Sequence, residues 1–241
     1  STSSDENGLY KLNIPVANYP VRVEFSNIPN KYKNTSSVSP NGNNTMVQFV
    51  KAPSCSINLG LIDEIGYCEN NPKFVTTIFR NGDPLPSGSI YGNLDVLRYY
   101  HYNENTLSAV NAGTKLANAN QFGAIWGVAY DKKHNKVYSS TVVRHGSGFG
   151  PLGIGGIYVT DMTTNTSTPF LDVETLGIDV GDIGNNSVRG LFSNGNLSQD
   201  LDTWAKVCKQ GIGGIDFDPN GEAISLTNLF DKKINKILLA E

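Results

Sequence analysis

Apolar positions recur with period two over most of this chain, the spacing of half-buried strands rather than of helices. The densest stretch runs from Gln121 to Asp161 and holds three apolar runs: Ile125–Tyr130, Lys136–Val143 and Gly156–Asp161. A charged turn, Asp131-Lys132-Lys133-His134-Asn135, joins the first two, and a glycine-rich crossing from Gly146 to Gly156 joins the last two. Strand, turn, strand, glycine loop, strand predicts a small antiparallel sheet. We read it as one blade of a β-propeller.

Upstream, Tyr19, Val21, Val23 and Phe25 alternate with Arg22 and Glu24, predicting a strand with one buried face. Leu9–Ile14, Thr45–Val50 and Ser56–Leu61 give three more strands, so residues 1–66 are expected to form part of a β-sandwich. Complete sandwiches of this kind have about seven strands. Residues 67–120 read as a junction, with strands at Phe74–Phe79 and Leu94–His101 and a helical turn or loop at Thr114–Asn120.

Residues 121–241 read as propeller-like blades with an insertion near 179–209. Gly127-Val128-Ala129-Tyr130-Asp131 is echoed by Gly214-Ile215-Asp216-Phe217-Asp218, 87 residues later. A blade spans roughly 40–50 residues, so the offset implies that insertion. Two or three blades fit, against the roughly four to eight of a closed propeller. The expected fold class is therefore all-β: a partial prealbumin- or Ig-like sandwich, then an incomplete propeller-like region.

Composition agrees. The 241 residues include 25 Gly, 11 Tyr and 10 Phe, with only 17% charged. A net charge of -3 with scattered Lys and Arg argues against nucleic acid as partner. No apolar run approaches the ~20 residues of a membrane span. The chain begins at Ser1 rather than Met, which reads as a processed product or a fragment. Sequons at Asn34, Asn43, Asn165, Asn185 and Asn196 point to exposed loops. Cys55 and Cys68 have a spacing that a disulfide can close, and two buried free thiols are the alternative; Cys208 is left over.

Candidate chemistry is sparse. Gly148-Phe149-Gly150-Pro151-Leu152-Gly153 fits G-x-G-x-x-G in form, but Pro151 interrupts it and a strand follows, so a dinucleotide site is not expected. Arg144-His145 beside this loop are expected to pin it, or to contact a ligand. With Asp131, Asp161 or Asp216 as an orienting carboxylate they would make a catalytic base, although nothing fixes the spacing. Trp126 and Trp204 have rings able to stack on sugars; Trp126, inside an apolar strand, reads first as core. Asp5, Asn7, Asp216 and Asp218 offer oxygen ligands of the kind calcium takes, and turn chemistry also explains them.

The stretch TSSDENGLYKLNIPVANYPVRVEF resembles the second half of the B-type, prealbumin-like repeats of bacterial serine-aspartate-repeat surface proteins, with Asp5, Asn7, Gly8, Tyr10, Tyr19, Val21, Val23 and Phe25 at matching places. The acidic, calcium-binding first half of such a repeat is missing. The later order W-G-V-A-Y-D … R-H-G-x-G-P-x-G-x-G-G-I-Y, from Trp126 to Tyr158, is similar to large secreted bacterial proteins in which a propeller-like region follows a B-type domain. The resemblance implies a non-catalytic, structural or adhesive part of an extracellular bacterial protein. Its partners would be other chains, the rest of a longer polypeptide, or surface glycans. A carbohydrate-active hydrolase or lyase, and a protein-binding subunit completed by another chain, are the alternatives.

Overall fold

The computed structural model describes residues 1–34, 45–63, 71–104, 113–218 and 221–239. The chain is all-β, with strands β1 to β14 and only short helical turns, and it divides into two units, Ser1–Pro72 and Lys73–Glu241.

In the first unit, β1 (Val21–Glu24) pairs antiparallel with β3 (Val47–Val50), and β2 (Tyr32–Asn34) with β4 (Leu61–Asp63). The alternation expected around Tyr19–Phe25 is realised: Val21 and Val23 are half-buried, Arg22 and Glu24 exposed. Leu9–Ile14 forms no strand. Pro15 leads into a 3-10 turn at Val16–Asn18, and Pro15 and Pro20, lacking N–H groups, cannot donate to a ladder. Tyr10 still packs edge-on against Phe25, and its hydroxyl donates to the Ile57 carbonyl. Cys55 is an exposed free cysteine, not a buried thiol, and Cys68 lies outside the described residues.

The second unit is three successive antiparallel meanders. These are β5–β7 (Lys73–Thr77, Asp95–His101, Thr114–Asn118), β8–β11 (Ile125–Asp131, Lys136–Thr141, Gly156–Asp161, Thr166–Asp172) and β12–β14 (Ile212–Phe217, Ala223–Asn228, Lys233–Leu238). Thr114–Asn118 is a strand, correcting the expected helical turn. It pairs with β6 before α1 (Ala119–Phe122), so ladder bonds override local preference.

Three hairpins share one device. Asp131↔Lys136, Asp161↔Thr166 and Asn228↔Lys233 each close a four-residue loop. The last loop residues, Asn135, Asn165 and Lys232, take positive φ. At the start of all three the side chain caps the loop: Asp131 accepts from the His134 amide, Asp161 from those of Thr163 and Thr164, and Asn228 from that of Phe230.

The first strands of successive meanders lie side by side, β5 against β8 and β8 against β12. Two residues of the 87-residue echo meet there. A Cβ on Gly127 would lie 3.3 Å from the Gly214 Cα and 3.1 Å from the Ile215 nitrogen, so Gly127 lets the two backbones approach. The middle strands of the β8–β11 sheet, β9 and β10, are buried on both faces. One face carries Tyr138 and Ile157 into a core with Ile212, Ile215, Ile224 and Leu226. The other carries Val137 and Tyr158 into a core with Val96, Leu97, Leu116 and Phe122. Tyr158 stacks on Phe122 at 4.5 Å, and burial pushes its hydroxyl up to about 12.

Candidate functional site

The glycine loop after β9 is braced from two sides. From one side the Gly82 amide donates to the Gly146 carbonyl (2.7 Å), and the Gly148 amide to the Gly82 carbonyl (3.0 Å). From the other side comes the segment predicted as an insertion. Buried Asn186 accepts from the Phe149 amide (2.7 Å) and donates to the Phe149 carbonyl (3.0 Å) and to Asp83 (2.8 Å). Its side-chain amide thereby acts as a neighbouring strand would. Below the loop, Gly123 has φ +63°, and a Cβ there would overlap the Gly150 backbone; only glycine fits.

Arg189 and Asp200 complete the clamp, with side chains only 1% exposed. Arg189 holds Asp200 bidentately, through Nε at 3.0 Å and Nη2 at 2.7 Å, and donates to the Arg144 carbonyl at 2.8 Å. Asp200 also accepts from the Gly146 amide (2.6 Å) and the Thr203 hydroxyl (2.5 Å). Burial opposes ionisation of Asp200, but the bonds from Arg189, Thr203 and Gly146 outweigh it and hold the carboxyl below its usual range.

This clamp fixes the backbone of Arg144-His145, and their side chains turn away from it. The Arg144 guanidinium lies over the Phe79 ring, 3.9 Å from its centroid. Phe79 in turn is parallel to Trp126, with centroids 6.0 Å apart and planes 7° apart. His145 stacks on Trp204 at 4.3 Å. Trp126 is 60% exposed and Trp204 68% exposed, which corrects the reading of Trp126 as core. Along β8 buried and exposed positions alternate about a bulge between Ile125 and Val128, and Trp126 falls on an exposed one. Arg144 and His145 do not pin the loop; Arg189, Asn186 and Asp200 do.

The carboxylates considered as partners of His145 are engaged elsewhere. Asp131 takes the His134 ring at 2.6 Å, Asp161 caps its own turn, and Asp216 accepts from the Phe217 amide. The calcium candidates Asp5 and Asp218 are likewise occupied by turn amides. Asp5 accepts from Asn7 and Leu9, and Asp218 from Glu222 and Ala223. Among the described residues no group of three or more His, Cys, Asp or Glu converges to hold a metal ion.

A cleft of about 450 Å³ beside the glycine loop is lined by Asp83, Phe149, Glu174, Asp182 and Asn186, not by Arg144 or His145. Burial first, then the charges of Asp172, Asp179 and Asp182, pushes the Glu174 carboxyl up. Sequence reasoning missed Phe79, Asn186 and Arg189, and took Asp200 for a loop acid that solvates the surface. It placed Asp200 and Asn186 in an insertion, where polar residues ordinarily face water.

The chain is similar to colossins of Dictyostelium discoideum. Identity is 25% to colossin-B over the whole chain, 28% to colossin-D over 47% of it, and 21% to colossin-A over 69%. It spans 6%, 12% and 1% of those three proteins. No protein-family model matches the chain, and no solved structure does. These relatives are eukaryotic, which overturns the resemblance to bacterial surface-protein repeats and the bacterial origin it implied. Among the described residues no helix is long and apolar enough to cross a membrane.

Proposed function

We propose that this chain is a non-catalytic, adhesive and structural part of a long extracellular protein, and that its second unit is a rigid mount for a binding face. The observation that carries this reading is the Trp126–Phe79–Arg144 stack on clamped backbone. Solvent-exposed indole beside a fixed guanidinium is the composition of a recognition surface. The small share of each similar colossin that the chain spans supports a place within a much longer polypeptide. The described sequon asparagines, Asn165, Asn185 and Asn196, are all exposed, as glycan acceptors in a secreted protein must be.

The test is retention of the purified chain on immobilised extracellular matrix from the cells that make it, compared with Trp126→Ala. The reading expects retention of the parent chain and loss in the variant. No retention of either, or turnover of matrix polysaccharide that depends on His145, would overturn it. A second reading, docking of another chain, is favoured by β14. This edge strand leaves Ile234 and Leu238 three-quarters exposed, and edges of this kind invite pairing.

A further inference from the structure

We infer that the Trp126–Phe79–Arg144 face is a binding site for acidic sugars, and specifically that it takes a uronic-acid unit. The inference rests on the adhesive reading above and names its ligand class. It starts from Arg144. This side chain is exposed, and among the described residues no carboxylate, carbonyl or hydroxyl takes its N–H groups; its guanidinium lies over the face of Phe79. A guanidinium over a ring carries its donors in its own plane, and the ring face does not consume them. A planar carboxylate meets that fork bidentately, in the same plane.

The backbone beneath is fixed before any ligand arrives. Arg189 holds the Arg144 carbonyl, and Asp200 holds the Gly146 amide two residues on. Little ordering cost then remains on binding. Trp126 supplies the second half of the site. Its ring is parallel to Phe79, and the residue is 60% exposed. The electron-rich face of an indole attracts the electropositive C–H side of a pyranose as it attracts other positive edges. Trp126 and Arg144 contact the same phenyl ring, so a short acidic oligosaccharide can lie on the indole while its carboxylate reaches the guanidinium.

Charge selects the sugar. Arg144 makes the face locally cationic on a chain whose net charge is -3, so a polyanion with dense phosphates is disfavoured overall while a single well-placed carboxylate is matched. A neutral sugar would stack but leave the guanidinium unused.

The experiment is calorimetric titration of the whole chain with tetragalacturonate, its methyl ester, and an Asp/Glu-rich peptide of equal charge. The expected result is saturable binding of tetragalacturonate, at least tenfold weaker binding of the methyl ester, and no binding of the peptide. Trp126→Ala and Arg144→Lys should each weaken tetragalacturonate at least tenfold, with unchanged near-UV circular dichroism. Lysine keeps the charge but loses the planar fork, so full affinity in Arg144→Lys overturns the inference. Equal affinity for acid and ester, preference for the peptide, or no saturable binding overturns it as well. If the chain is retained on matrix through Trp126 yet ignores uronates, the adhesive reading stands and the sugar assignment falls. If it is not retained, the adhesive reading itself has failed.

Discussion

The two units of this chain are built from similar strands and held by different means. Among the described residues of the first unit, Val50 is the buried hydrophobic side chain and Gln48 the buried polar one. Gln48 spends its amide on the Thr45 and Asn58 carbonyls. The second unit has two apolar cores on either side of β8–β11, together with a buried ion pair that braces the glycine loop after β9. Alternation alone makes strands in both. Only where a sheet is covered on both faces does it also make a platform rigid enough to hold Arg144 on Phe79.

The largest predicted effect attacks that brace. Asp200→Ala leaves Arg189 as an uncompensated buried charge, which costs about 3–5 kcal/mol, and should lower the thermal midpoint of the second unit while leaving the first unchanged. The same pair sets a pH dependence. Because the folded pKa of Asp200 is depressed, its stabilisation is complete above the unfolded value of about 3.9 and is lost as pH falls through the folded one. Acid titration of the parent chain should show this loss, and Asp200→Asn should remove its share.

A smaller loss is expected from Asn186→Ala, which strips the buried Phe149 amide of its acceptor at about 1–3 kcal/mol. Urea melts of the second unit read it directly. Val50→Ala tests the other side of the comparison. It removes two methyl groups from a thin core, about 1.5 kcal/mol by transfer arithmetic, and its effect should appear in first-unit probes alone. The smallest expected change is a stabilisation. The Glu174 carboxyl is pushed up, so the fold favours its protonated form and loses that contribution as pH rises through the folded pKa. Glu174→Gln should raise the thermal midpoint slightly at neutral pH and not at pH 4.

Much of the fold was legible in the sequence, for reasons visible in particular residues. Val137 and Tyr138, and Ile157 and Tyr158, are adjacent pairs that face opposite cores, so β9 and β10 carry neighbouring apolar residues instead of a strict alternation. The Gly127 and Gly214 echo marked the first strands of two meanders, which do lie side by side. The spacing D-x-x-x-N at Asp131–Asn135 and Asp161–Asn165 encodes two of the four-residue hairpin loops and was available as a signal. Leu9–Ile14, expected as a strand, runs instead into the 3-10 turn that Pro15 leads.

The site was half legible. Arg144, His145 and Trp126 were identified by residue type, but Phe79, which joins two of them, comes from the segment after β5, 47 positions before Trp126. Asp200 and Arg189 look like surface residues because local sequence carries no mark of burial for a charge. Their pairing is a property of the tertiary structure.

Native-state hydrogen exchange at the amides of Gly146, Gly148 and Phe149 tests the central claim most directly. They donate to Asp200, to the Gly82 carbonyl and to Asn186 respectively. If the clamped loop is the rigid mount of the binding face, these three amides exchange as slowly as those of β9 and β10, through global opening of the second unit. Fast exchange at these positions while β9 and β10 remain protected would contradict the account.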